Sequence, residues 1–408
     1  MRNAIIRHVM ALLLAIIIGW ASAQAEPLTR AEAYARAAGL QALGAKLFAD
    51  PSLSASHQMA CVTCHDPAHG FAAANDRMVQ LGGKDMQQPG LRAVPSLTYI
   101  QAVPQFTEHY YESDDEGDAS VDNGPTGGLT WDGRVDRGRE QARIPLFSEF
   151  EMANDSAASV AAALRRASYA GEMQAIFGAA VLADDDKTVA AAAEALEVYE
   201  QTSRLFYPYS SKYDAYLAGR AQLTPQEAHG LELFNNPGKG NCASCHRSER
   251  DNDGTPPQFT DYGLIALGMP RNRAIPANAD PKFFDLGACG PLRTDLAGRA
   301  EFCGVFRTPS LRNVALRKTF YHNAHEHDLH KAVAFYVERD TAPEKWYPRG
   351  ADGRVEKFDD LPAQYQDNIN RDPPFGGKPG DKPALSPSEI DDVVAFLMTL
   401  TDGYTPAP

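Results

Sequence analysis

Positive charge is in short supply: 39 lysines and arginines face 53 aspartates and glutamates, a net charge of −14 over 408 residues. A chain this acidic is not expected to bind nucleic acid and would steer towards basic partners. Long apolar runs are lacking as well. Beyond Val9–Trp20 no stretch is apolar enough to span a bilayer. That one run is short, follows Arg2 and Arg7, and leads into Ala21-Ser22-Ala23-Gln24-Ala25. Basic, apolar, then small-x-small is the pattern of a secretory leader cut after Ala23 or Ala25. The expectation is a soluble periplasmic protein whose residues 1–25 are a cleaved signal peptide; a retained N-terminal anchor is the alternative. Tryptophan is limited to Trp20, Trp131 and Trp346, and cysteine to six residues.

Four of those cysteines carry the most information. Cys61-Val62-Thr63-Cys64-His65 and Cys242-Ala243-Ser244-Cys245-His246 are two copies of Cys-x-x-Cys-His. Two thiols at that spacing can form thioethers to the vinyl groups of one haem, and the adjoining His then reaches the iron. One copy could be a thioredoxin-like pair or half a zinc site. Two copies, each ending in His on an exported chain, read as two covalent c-type haems. Cys289 and Cys303 remain, fourteen positions apart in an oxidising compartment, and are expected to form a structural disulfide. Glu112, Asp114, Asp115, Glu116, Asp118 and Asp122 form an acidic cluster that reads as a solvated loop rather than a docking patch.

The chain also repeats itself. Gly44-x-x-Leu47-Phe48 precedes the first haem motif and Gly230-x-x-Leu233-Phe234 the second. After each motif comes an Arg followed by Pro-Ser-Leu: Arg92 with Pro95-Ser96-Leu97, and Arg307 with Pro309-Ser310-Leu311. Ordered self-similarity of this kind suggests a duplicated cytochrome c unit. Residues 30–48 and 187–203 have helical apolar spacing. Thr224-Pro225-Gln226-Glu227 and Ser386-Pro387-Ser388-Glu389 are helix starts, the second opening a helix over 387–400. The Gly-, Pro- and Asp-rich stretches 66–130 and 247–306 are expected to be irregular. The fold class expected is all-α: two tandem cytochrome c-like domains, 26–205 and 206–408, each with one haem and long loops, with the boundary near 204–222.

Two further segments raise the reading above plain electron storage. One runs from Gly127-Gly128-Leu129-Thr130-Trp131-Asp132-Gly133-Arg134 through Glu140-Gln141-Ala142-Arg143-Ile144-Pro145-Leu146 to Phe150-Glu151-Met152. The other is Phe306-Arg307-Thr308-Pro309-Ser310-Leu311-Arg312-Asn313-Val314. With the haem motifs they make the chain resemble, over nearly its whole mature length, the bacterial di-haem cytochrome c peroxidase family, which includes MauG. The resemblance implies that His65 is the proximal ligand of a peroxidatic haem and that Trp131 lies between the haems. It implies that Gln141 and Glu151 are the distal amide and carboxylate, with Pro145 the pocket proline. A carboxyl with a raised pKa can move a proton between the two oxygens of hydrogen peroxide. The partners implied are hydrogen peroxide and a small electron donor, a cytochrome c or cupredoxin, or else a protein substrate as for MauG. A homodimer is left open.

His246 is then the proximal ligand of the second haem. Where most of the family has a distal Met, this chain reads Phe320-Tyr321-His322-Asn323-Ala324. Tyr321 stands at the ligand position, as in MauG-like members; a phenolate favours the higher oxidation states of iron. His322 and Met269 are the alternatives. His322, His325, His327 and His330 read as solvated or propionate-contacting rather than as a separate metal site. No His lies between His69 and His109, where many family members carry a blocking loop histidine, and His69 and His109 read as surface groups. Ala93 or Val94 replaces the Asn that helps hold a calcium ion in the family, which leaves calcium in doubt. No Trp lies just before Cys242, so a relay to a partner protein would have to use tyrosines or Trp346.

Overall fold

The computed structural model describes residues 27–111 and 121–405. The leader 1–25 and the acidic residues Glu112, Asp114, Asp115, Glu116 and Asp118 lie outside them. The chain divides into two units between Gly39 and Leu40. Both Cys-x-x-Cys-His motifs and all of the buried apolar cores belong to the second unit, from Leu40 onward.

Helices dominate, in the order α1 (Arg30–Phe48), α2 (Cys61–Cys64), α3 (Gly138–Phe147), α4 (Ala157–Arg166), α5 (Ala170–Phe177), α6 (Asp185–Glu200), α7 (Ser203–Phe206), α8 (Lys212–Leu217), α9 (Pro225–Asn235), α10 (Leu329–Glu338) and α11 (Pro387–Met398). Sheet is limited, among the described residues, to two antiparallel pairs of two-residue strands. These are β1 (Leu81–Gly82) with β2 (Gln88–Pro89), and β3 (Leu264–Ile265) with β4 (Phe306–Arg307). The stretches 66–130 and 247–306 are otherwise turns, bends and short 3-10 segments, as their composition predicts.

Local signals account for the helix ends. The Thr224 and Ser386 hydroxyls accept from the Glu227 and Glu389 amides, while those glutamates reach back to the cap amides, so α9 and α11 both start on a capping box. The Asp184 side chain accepts from the Lys187 amide, and Asp185 and Asp186 place negative charge in the first turn of α6. The helix predicted over 187–203 therefore begins two residues earlier. It also stops at Glu200, and α7 restarts at Ser203.

The repeat has a physical reason. A Cβ on Gly44 would run into the Ala195 carbonyl, and one on Gly230 into the Asp392 carbonyl. The glycine of each Gly-x-x-Leu-Phe is where α1 meets α6, and where α9 meets α11, backbone against backbone. Leu43, Leu47 and Phe48 then enter one core with Leu164, Val189 and Leu196. Leu233 and Phe234 enter another with Ile390, Val393 and Phe396. The first core draws its buried residues from 40–206 and the second from 213–400. Asp402 ties the two repeats together: it accepts from the Tyr99 hydroxyl (2.9 Å) and from Asn313 Nδ2 (2.8 Å), residues at equivalent places after each Pro-Ser-Leu. Cys289 and Cys303 form the expected disulfide. Among the described residues no helix is long and apolar enough to cross a membrane.

Candidate functional site: two histidine-centred cavities

Each Cys-x-x-Cys-His is held by its Pro-Ser-Leu in the same way. His65 Nδ1 donates to the Phe71 carbonyl at 2.9 Å, and His246 Nδ1 donates to the Phe259 carbonyl at 2.8 Å. Both phenylalanines sit in the left-handed region, at φ 52° and 54°. The serine hydroxyl that follows clamps the preceding carbonyl: Ser96 donates to Gly70 O (2.5 Å) and Ser310 to Gln258 O (2.6 Å). The Leu97 and Leu311 amides donate to the very carbonyls that hold the histidines, each at 3.3 Å. With Nδ1 committed to the backbone, Nε2 is the ring atom left for a metal. Burial pushes His65 down to about 4 and lowers His246, so both rings are neutral, the ligating form.

Cys61, Cys64, Cys242 and Cys245 are all unpaired thiols, pushed up to about 12 by burial. Each pair of thiols lines the cavity of its adjoining histidine, where thioether bonds to one haem would place them. The cavity beside His246, about 440 Å³, is lined by Cys242, Cys245, Phe234 and Leu397. Arg307 and Arg317 also line it. Arg307 donates to Thr130 O, and Arg317 to Thr319 O and Val94 O; among the described residues neither forms a salt bridge. Burial pulls both guanidiniums down to about 10. Two half-buried guanidiniums that reach the cavity without a salt bridge among the described residues can pair with carboxylates of the occupant, and haem carries two. The donor set fits haem.

The cavity beside His65 is a slot of about 50 Å³. It brings together Cys61, Cys64, Gln141, Pro145 and Glu151, drawn from α2, α3 and the turn after α3. Burial pushes the Glu151 carboxyl above its ordinary range, against the opposing pull of the Ser148 hydroxyl and the Arg134 charge. The β1–β2 hairpin sets the position of Glu151: Gly83 N donates to Glu151 O at 2.8 Å, and a Cβ on Gly82 would strike Phe150 O. Pro145 lies inside α3, and the Pro145 carbonyl accepts from the Met152 amide at 3.0 Å, which folds the turn carrying Glu151 back over the helix.

Trp131 lines the larger cavity and packs against Ala93 and Ala324. Its indole N–H donates to Ala93 O at 2.8 Å. Tyr321, His322 and Met269, the three candidate distal ligands, all line the same cavity as His246. The Tyr321 hydroxyl donates to Ala332 O at 2.7 Å, and burial raises it well above the ordinary phenol value. His322 stacks flat on Phe306, 3.5 Å between centroids, and burial pushes it down to about 3. His327 and His330 are exposed, and His325 pairs with Glu326. His109 is exposed and bonded to Asp122, while His69 faces Asp66 at 3.5 Å; neither lines the first cavity. The Ala93 carbonyl is taken by Trp131, and the Val94 carbonyl by Arg317.

Sequence reasoning missed Glu200 on the wall of the first cavity, and it missed Arg317 and the role of Arg307 in the second. Arg307 had a signal, its place in the repeated Arg–Pro-Ser-Leu. Glu200 had none, ending an Ala- and Glu-rich helix where an acid is ordinarily solvated.

The chain is similar to known di-haem proteins. The profile of the family described as di-haem cytochrome c peroxidase matches residues 39–222. The methylamine utilization protein MauG of Paracoccus denitrificans is 34% identical over 376 residues, covering 89% of this chain and 88% of that one. The cytochrome c551 peroxidase of Nitrosomonas europaea is 26% identical over 297 residues, 72% of each chain. Among solved structures, the diheme peroxidase BthA of Burkholderia thailandensis has a TM-score of 0.78 at 40% identity, covering 89% of this chain and 86% of that one.

Proposed function

The chain belongs to the di-haem cytochrome c peroxidase family, and we propose that within it this protein is a periplasmic peroxidase. It reduces hydrogen peroxide to two waters with two protons and two electrons from a small redox protein, a cytochrome c or cupredoxin. Two domains, 26–205 and 206–408, each hold one haem c, with residues 1–25 removed as a leader. Bound through Cys61/Cys64 and Cys242/Cys245, with His65 and His246 as iron ligands, the haems supply one-electron redox chemistry and an iron that can polarise peroxide.

The single observation that carries this reading is the convergence of Gln141, Pro145 and Glu151 on the cavity of Cys61, Cys64 and His65. Glu151 takes the proton from one peroxide oxygen and returns it to the other, which leaves as water. Gln141 orients the peroxide without competing for that proton. Trp131, on the wall of the second cavity, provides an oxidisable ring for electrons passing between the halves. Tyr321 would be a ligand of the second iron, its hydroxyl giving up its bond to the Ala332 carbonyl and passing its proton to water to bind as phenolate. Calcium stays in doubt, because the Ala93 and Val94 side chains offer it no oxygen.

A second reading is a MauG-like oxidase acting on a partner protein. One observation favours it: Tyr321 lies edge-on to Phe335 (5.5 Å), and Phe335 lies edge-on to Trp346 (5.4 Å), an aromatic path leading away from the second cavity. The test is peroxide consumption by the purified holoprotein with a reduced small cytochrome c or cupredoxin. Stoichiometric turnover to water supports the peroxidase. Donor-independent oxidation of a partner protein would favour the second reading, and no reaction with peroxide would leave only an electron carrier.

A further inference from the structure

Glu200 is the last residue of α6, buried to 5% exposure, and it lines the His65 cavity. Its Oε2 is fully enclosed and has no hydrogen-bond partner. A carboxyl in that position normally has a cation or two or three donors. The Arg139 guanidinium pairs with Glu197, three residues earlier on the same helix, at 2.7 Å. The groups that act on Glu200 are acidic or neutral: Glu197 and Tyr199 on its own helix and the Cys61 thiol of α2, while the Cys64 thiol and Glu151 share the cavity wall with it. Burial first, then the Glu197 charge, pushes Glu200 up to about 8. His65 and its backbone partner are not among its electrostatic neighbours.

A carboxyl that has no partner of its own responds to the charge that changes beside it. On the reading that the His65 cavity holds the peroxidatic haem, we propose that Glu200 is its proton-exchange group, taking up a proton from solvent as the neighbouring iron gains an electron and releasing it as that electron leaves. The balance is one electron from the donor protein and one proton from water. An O–H bond forms on a Glu200 carboxylate oxygen on reduction and breaks on oxidation, so the buried site keeps its net charge. The sign follows from electrostatics. Ferric iron, the more positive state, pulls the carboxyl towards ionisation; reduction restores the proton. The potential of this haem therefore falls as pH rises through the Glu200 range.

The experiment is a redox titration of the holoprotein against pH, following the His65 haem by its own spectrum, together with reduced-minus-oxidised infrared difference spectra. The wild type should show a potential falling with pH, approaching a tenfold change per pH unit, about 59 mV for one electron. It should also show a protonated-carboxyl C=O band on reduction. Glu200→Gln should flatten the slope and lose the band. If slope and band both survive in Glu200→Gln, the proposal is overturned, while peroxide turnover in the same preparation reports separately on the peroxidase reading. Glu197→Gln is the second variant, useful if Glu200→Gln does not fold. It should move the window to lower pH by removing the charge that pushes Glu200 up, and an unmoved window would also overturn the proposal.

Discussion

Around His65 and around His246 the chain builds one frame twice, with the same Gly-x-x-Leu-Phe crossing, the same phenylalanine carbonyl holding the ring, and the same serine clamp. The cavities on top of that frame differ in nearly everything else. Beside His65 is a narrow slot with Gln141 and two carboxyls, Glu151 and Glu200. Beside His246 is a roomier cavity with Tyr321, His322 and Met269 and two arginines that form no salt bridge among the described residues. The duplicated part fixes the histidine ring, and the two copies differ in what lines the cavity beside it. The first cavity brings an amide and two raised carboxyls together in a narrow space, while the second sets Tyr321 and His322 in a wide one.

Glu151 is where the two cavities diverge most in chemistry, and its loss should cost the most. Glu151→Gln should keep both haems and slow the peroxide reaction by about 10²-fold or more, measured by stopped-flow mixing with peroxide; a wild-type rate would remove the acid–base role. The pH profile bears on the same group. Glu151 works as the ionised base and its pKa is raised by burial, so kcat/KM should fall with falling pH at a higher pH than an ordinary glutamate would give. Glu151→Gln should abolish that acid limb.

Next in size is packing. Gly44→Ala and Gly230→Ala each force a Cβ into a facing carbonyl, and each should cost about 1–3 kcal/mol of stability in denaturant unfolding. A neutral result at one site would show that the two frames are not equivalent. At the second cavity, Tyr321→Met should raise the potential of the His246 haem, read by redox titration, because thioether sulfur favours the reduced iron. No change would hand the ligand position to His322 or Met269. The smallest change is at the clamp: Ser96→Ala and Ser310→Ala should each cost about 1 kcal/mol and leave peroxide chemistry nearly intact.

Much of this was legible in the residues. Apolar spacing placed α1 and α11 to within two residues, and the capping boxes marked the starts of α9 and α11. The disulfide followed from cysteine arithmetic, and Gln141, Pro145 and Glu151, singled out by the family resemblance, line one cavity with Cys61, Cys64 and His65. What stayed hidden depends on contacts far apart in sequence. Glu200 looks like any helix-ending acid until α2 and the turn after α3 close over it. Arg317 looks like a surface cation until its lack of a carboxylate is seen in three dimensions. The two-residue strands carry too little pattern to be read, and the bond from Tyr321 to the Ala332 carbonyl depends on where α10 docks.

Electron paramagnetic resonance of the as-isolated diferric protein, before and after one equivalent of peroxide, probes both cavities at once. An open His65 haem should give one high-spin signal, and a His246 haem ligated on both sides one low-spin signal. Both should diminish together as oxidising equivalents are shared across Trp131. Two low-spin signals that peroxide leaves unchanged, with or without prior reduction, would refute the division of labour between the two haems.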